Sequence, residues 1–193
     1  MIPEAISVFL DQAEQWCKGK LWQVRLPLLF LFGYLLLRHI LTPGYSSILS
    51  LLNLGIHELG HLIFALFGTF IGISGGTLLQ CFVPLFAMFN FYRQDDFFSI
   101  ALSFGWLSTS LFDVANYVAD ARRMDLPLVS PFGAGENTIH DWNYILSKLG
   151  ILKFDLVLAW ILKIIATFSM LICLIFGAWL LWRMFKSPGE IEV

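Results

Sequence analysis

From Ile48 to Ile71 the chain is almost uninterruptedly apolar, yet inside that run it places His57-Glu58-Leu59-Gly60-His61. The run is long enough for a bilayer-spanning helix, which needs about 20 apolar residues. Imidazole and carboxylate groups at that depth are costly and persist where they face a wet cavity, a partner or a bound ion. A chain carrying them so close together must withdraw one face of this helix from lipid.

The remaining sequence sets the same solvent. Hydrophobic residues make up 58% of the 193 residues and charged ones 13%, with 19 Phe and 7 Trp. These values exclude the soluble globular class and leave room for about four to six spans in one membrane domain, residues 1–193. A net charge of −2 without a basic run gives no footprint for nucleic acid. Cys17, Cys81 and Cys173 are odd in number and the last two fall in apolar segments, so no disulfide framework is expected. Glu4, Asp11 and Glu14 interrupt the first stretch and no basic region precedes it, so internal helices are expected to drive insertion.

Ile2, Ile6, Phe9, Ala13 and Trp16 recur at three- and four-residue steps with Glu4, Asp11, Glu14 and Gln15 elsewhere on the wheel, predicting an amphipathic surface helix within residues 1–20. Spans are expected at about Trp22 to Ile40, stopped by Thr42-Pro43-Gly44, and at 48–71, followed by a tight break at Gly72 to Gly76. A short third span from about Thr77 to Tyr92, bent at Pro84, a polar-faced fourth at 97–118 and a last one at 156–182 complete the set. Residues 119–155 are expected to form a loop with a short interfacial helix. With five spans, Lys18, Lys20, Arg25, Arg122, Arg123, Lys148 and Lys153 share one side, and Arg38, Arg93, Arg183 and Lys186 the other. That bias predicts a cytoplasmic N-terminus; a re-entrant segment at 77–92 would invert the later topology.

The central motif has a chemical reading. Two histidines four apart on a helix share a face, so His57 and His61 can hold one Zn²⁺ while Glu58 activates a water. Ser46, Ser50, Asn53, His57 and His61 continue that face as a polar stripe along which water can reach the site. Gly55 and Gly60 allow close helix approach.

Catalytic zinc usually has three protein ligands, so a third is required. Ser99, Ser103, Trp106, Ser110, Asp113, Tyr117 and Asp120 line one face of the fourth span, and Asp113 is its one deep carboxylate. His140 is the other candidate, following a loop with Pro127, Pro131, Gly133 and Gly135 that can fold back over the site. Ligand chemistry favours His140 and depth favours Asp113. Asp141 stands at capping-box spacing from Thr138, a structural role. His39 reads as interfacial, and Asn53 and Asn116 as groups that orient substrate or an oxyanion.

His57-Glu58-Leu59-Gly60-His61 in a transmembrane helix, followed by Gly75-Gly76 and a later acidic residue, resembles the site-2-protease class of intramembrane zinc metalloproteases over about residues 48–120. The resemblance implies cleavage of transmembrane or membrane-proximal protein segments, with His57, His61 and a later acidic residue on zinc and Glu58 as base. The chain departs from that class: Leu111-Phe112-Asp113-Val114 stands in place of Leu-Asp-Gly, no Asn-Pro precedes it, and no PDZ-like domain is present. The segments Gly75 to Gln80, Tyr117 to Arg122 and His140-Asp141-Trp142 more closely resemble an uncharacterised group of small bacterial membrane proteins with an H-E-x-x-H helix, which implies no substrate.

The expectation is therefore an all-α integral membrane protein, a bundle of about five transmembrane helices with an N-terminal amphipathic surface helix, multi-pass in a bacterial inner membrane. Its expected activity is zinc-dependent metallopeptidase action on a membrane protein substrate within the lipid bilayer, and its small size points to a regulatory membrane partner. The rivals are an inactive metal-binding scaffold or chaperone and, for the intramembrane Asp113 and Asp120, a transporter.

Overall fold

The computed structural model describes residues 4–126 and 139–187. Among them every regular element is helical: α1 (Glu4–Cys17), α2 (Leu26–Leu41), α3 (Ser50–Phe64), α4 (Thr69–Arg93), α5 (Phe97–Ala119), α6 (Asp141–Lys148) and α7 (Asp155–Lys186), with 3₁₀ turns at Ala65–Phe67 and Leu152–Phe154. Four helices are long and apolar enough to cross a membrane: α3 with its 3₁₀ turn, α4, α5 and α7 with the 3₁₀ turn before it. At 16 residues α2 reaches only about 24 Å, short of a hydrocarbon core about 30 Å thick.

The spine is α5 against α7, and small polar residues let the two backbones approach. Ser108 Oγ donates to the Ala166 carbonyl at 2.7 Å, and Ser169 Oγ to the Phe104 carbonyl at 2.7 Å. Such bonds contribute about 0.6 kcal/mol each in membrane proteins, so close packing rather than hydrogen bonding holds the pair. Gly105 admits Phe32 of α2: a Cβ there would stand 2.5 Å from the Phe32 ring and 2.9 Å from Cys173 Sγ.

The face of α1 read as a membrane-surface face packs on protein. Phe9 lies among Tyr92, Phe97 and Phe176, Trp16 meets the edge of Phe97, and Glu14 pairs with Arg183. Gly19 N–H donates to the Ser187 carbonyl at 3.4 Å, so α1 and the end of α7 meet at one end of the bundle. Five alternating spans would put them at opposite ends. The difference arises at α2 and α3, which run in series along α5: Phe32 sits at Gly105 and His39 stacks on Phe112, then Ser50 bonds Asp113 and the His57 ring faces Tyr117. Helices α4 and α7 return antiparallel to α5. Lys18, Lys20, Arg25, Arg93, Arg183 and Lys186 consequently gather at the α1 end, and Arg122, Arg123, Lys148 and Lys153 at the other.

The chain does not break at Gly72 to Gly76; α4 continues through them and through Pro84, and the reversal falls at Gly68, whose φ of 93° suits glycine. Gly60 and Gly75 instead bring α3 and α4 into backbone contact: a Cβ on Gly60 would overlap the Gly75 carbonyl, and one on Gly75 would stand 2.5 Å from Phe64 Cβ. Gly60→Ala is expected to destabilise the α3–α4 hairpin by about 1–3 kcal/mol, measured as an earlier thermal transition of the detergent-solubilised protein.

Outward-facing Leu51, Leu66, Phe30, Ile48, Trp160, Phe168 and Ile175 are strongly exposed on several sides of the bundle. So much exposed apolar surface is foreign to soluble monomers.

Candidate metal centre

Helix α3 turns Asn53, His57 and Gly60 inward, and His61 lies one turn beyond His57 on the same side. His61 Nδ1 lies 2.9 Å from the Gly72 carbonyl, which can only accept, so that nitrogen carries the proton. His57 Nδ1 lies 3.0 Å from Gln80 Oε1. The Gln80 amide is itself oriented, because its Nε2 donates to the Ser110 carbonyl at 3.3 Å. His57 Nδ1 is therefore the donor too. In the neutral form both imidazoles therefore present Nε2 lone pairs, the tautomer that a metal ligand requires.

Those lone pairs converge on a single carboxylate oxygen. Asp141 Oδ2, from the first residue of α6, is 2.9 Å from His57 Nε2 and 3.1 Å from His61 Nε2. Three electron-pair donors so close repel one another unless positive charge lies between them, as shared protons or as a metal ion. Neighbouring ligands of a tetrahedral zinc, each about 2.0–2.1 Å from it, stand about 3.3 Å apart. The residues fit such an ion with a small expansion. His57, Glu58 and His61 form a group whose ligand atoms all lie within 4.8 Å of one another, so Glu58 stands beside the two imidazoles.

Space for the ion comes from Gly76 on α4. A Cβ there would lie 2.5 Å from His57 Nε2 and 2.7 Å from His61 Nε2. Gly76 stands seven residues after Thr69, so the centre lies about 10 Å inside the end of the bundle where α4 begins and α5 stops. Side chains of His57 and Asp141 are 8% and 9% exposed and that of His61 is 23% exposed, so the centre opens past His61. Burial works to raise the Asp141 carboxyl, but the hydrogen bonds and positive charge that the two imidazoles supply when protonated outweigh this and hold it below the ordinary carboxylate range.

Neither residue expected as the third ligand faces this point. Asp113 Oδ1 accepts from Ser50 Oγ at 2.8 Å and Oδ2 from Asn53 Nδ2 at 2.7 Å. Asn53 Oδ1 in turn accepts from Trp106 Nε1 at 2.9 Å and Ser110 Oγ at 3.2 Å. The polar stripe of α3 thus divides into a half that faces the candidate metal point and a network clamping α3 to α5, which engages both the carbonyl and the amino group of Asn53. Ser46 is exposed outside it, and Ser47 bonds Ser50 instead. His140 is the N-cap of α6: its Nδ1 accepts from Asn143 N–H at 3.2 Å, and its Nε2 faces Asp120 Oδ2 at 3.3 Å. Both candidates are occupied by helix-fixing bonds.

With His140 as cap, Asp141 is the first helical residue rather than the third, which removes the capping-box geometry; Thr138 and the loop expected to cover the site lie outside the described residues. His39, stacked on Phe112 at 4.4 Å, is remote from the centre. Sequence reasoning also passed over Gln80, whose signal was an amide deep in an apolar helix. No known protein family, no curated protein and no solved structure matches the chain.

Proposed function

We propose that the chain is an integral membrane zinc metallopeptidase that hydrolyses peptide bonds in or next to membrane segments of protein substrates. The observation that carries this reading is the convergence of His57 Nε2 and His61 Nε2 on Asp141 Oδ2, with Glu58 beside the two imidazoles. Two histidines one turn apart with a glutamate beside the first is the arrangement of zinc hydrolases. Asp141 takes the place of the third ligand.

His57, His61 and Asp141 would hold a zinc ion, which would polarise a substrate carbonyl and lower the pKa of a water toward about 7. Glu58 stands to take a proton from the attacking water as its oxygen bonds to the carbonyl carbon, and to give it to the amine as the C–N bond breaks. Gln80 and the Gly72 carbonyl keep both histidines in the ligating tautomer, and a substrate strand enters past the part-exposed edge of His61. The resemblance to site-2-proteases supports the reading through the motif and differs in its third ligand, which here opens a short helix beside the bundle end.

The exposed apolar surface and four long apolar helices support a multi-pass protein in a bacterial inner membrane. The richer Lys and Arg content of the α1 end supports a cytoplasmic location for that end, with the metal centre toward the opposite face. In proteoliposomes carrying a single-span test substrate, cleavage is expected near the membrane boundary on the metal-centre side, stopped by a zinc chelator and restored by added zinc. Cleavage indifferent to the chelator sinks the reading.

The scaffold alternative has one observation in its favour, since the His57–Asp141–His61 contacts also tie α3 to α6.

A further inference from the structure

We infer that Tyr117, Asp120 and His140 form a clasp that delivers Asp141 to the metal, acting as positioning residues for the third ligand. This rests on the metal centre proposed above. Asp141 opens a helix of only eight residues and lies 84 residues beyond His57 in sequence, so something must fix its place.

The fixing contacts all come from the last turn of α5 and the residues just after it. Tyr117 Oη accepts the Asp141 N–H at 3.1 Å, so the backbone of the ligand is held as well as its carboxylate. The same phenol ring lies against both histidine types, 4.3 Å from the centroid of His140 and 6.0 Å from that of His57. One ring therefore gauges the distance between the α6 N-terminus and the H-E-x-x-H helix. His140, 4% exposed, accepts Asn143 N–H on Nδ1, which leaves its Nε2–H to donate to Asp120 Oδ2 at 3.3 Å. Asp120 is anchored in turn by the N–H groups of Asp125 at 3.0 Å and Leu126 at 2.9 Å. Asn143 Nδ2 adds a bond to the Ala121 carbonyl at 2.8 Å. His140 and Asn143, which flank Asp141, are thus bound to the end of α5 and the turn after it, while the Asp141 side chain faces His57 and His61. Outer partners of metal ligands typically change metal affinity by about 10–100-fold when removed.

The test is zinc affinity of the full chain in detergent, read by competition with a chromophoric chelator, with the visible spectrum of the cobalt-loaded protein as second readout. Asp120→Ala and Tyr117→Phe are each expected to weaken zinc by about 10–100-fold and to shift the cobalt spectrum toward that of Asp141→Asn. Combined with Asp141→Asn, either change is expected to cause no further loss, because the clasp acts only through Asp141. Should Asp120→Ala fail to yield folded protein, Tyr117→Phe keeps the ring in place and carries the test. Unchanged affinity in the single variants, or an equal loss in the Asp141→Asn background, overturns the clasp and leaves the metal centre standing. Wild-type protein that binds no zinc overturns both.

Discussion

Replacing Gly76 by alanine is expected to reduce bound zinc from about one per chain to a small fraction, with most of the helical fold retained. The reason is geometric. The added methyl would stand 2.5 Å from His57 Nε2 and 2.7 Å from His61 Nε2, where the proposed ion would sit. Relieving overlaps of this size in a packed interior costs about 1–3 kcal/mol, and the groups that must move are the ligand atoms. Gly55 supplies the control, since a Cβ there meets nothing within 4 Å. Gly55→Ala is expected to bind zinc like the wild type. Metal analysis of both purified variants checks the pair, and full zinc in Gly76→Ala would place the ion elsewhere.

The second large effect is expected at Glu58. Glu58→Gln preserves size and keeps an oxygen near the imidazoles but removes the base. Substrate cleavage is expected to fall by about 10²–10⁴-fold, the range of general acid–base catalysis, with zinc content unchanged. This variant also separates the enzyme from the scaffold: a protein that only binds metal or partner helices behaves identically before and after the change. Single-turnover cleavage of the reconstituted test substrate, normalised to zinc, is the measurement.

Much of the helical layout is legible in apolar run length. The expected fourth span at 97–118 compares with α5 at Phe97–Ala119, and the expected last span at 156–182 with α7 at Asp155–Lys186. Periodicity also brought His57 and His61 to one face, because that depends on a single helix. What periodicity does not carry is the identity of the neighbouring helix. Gly72, Gly75 and Gly76 read as a break because glycine favours turns, yet here the missing side chains admit α3 and leave room at the imidazoles. The series arrangement of α2 and α3 was hidden for the same reason: Thr42-Pro43-Gly44 ends a helix without saying whether the next one reverses.

The third ligand shows the limit most clearly. Asp113 and His140 were sound candidates by residue type and depth, but a carboxylate or imidazole in an apolar protein is equally useful for pinning helices. Asp113 pins α3 to α5 through Ser50 and Asn53, and His140 caps α6 against Asp120. Asp141 looked like a cap residue while its neighbour performed the capping. One position separates the two residues, and it is the tertiary placement of α6 that brings Asp141 Oδ2 to the two imidazoles.

The central claim is that His57, His61 and Asp141 together hold a metal ion. Its most direct test is metal content of the detergent-purified chain, prepared without chelators, for wild type and for His57→Ala, Asp141→Ala, Asp113→Ala and His140→Ala. The expected result is about one zinc per wild-type chain, absent in His57→Ala, lost or sharply reduced in Asp141→Ala, and present in Asp113→Ala. His140→Ala is expected to lie between, since it loosens the helix that carries Asp141. Full zinc in Asp141→Ala, or none in the wild type, would contradict the account.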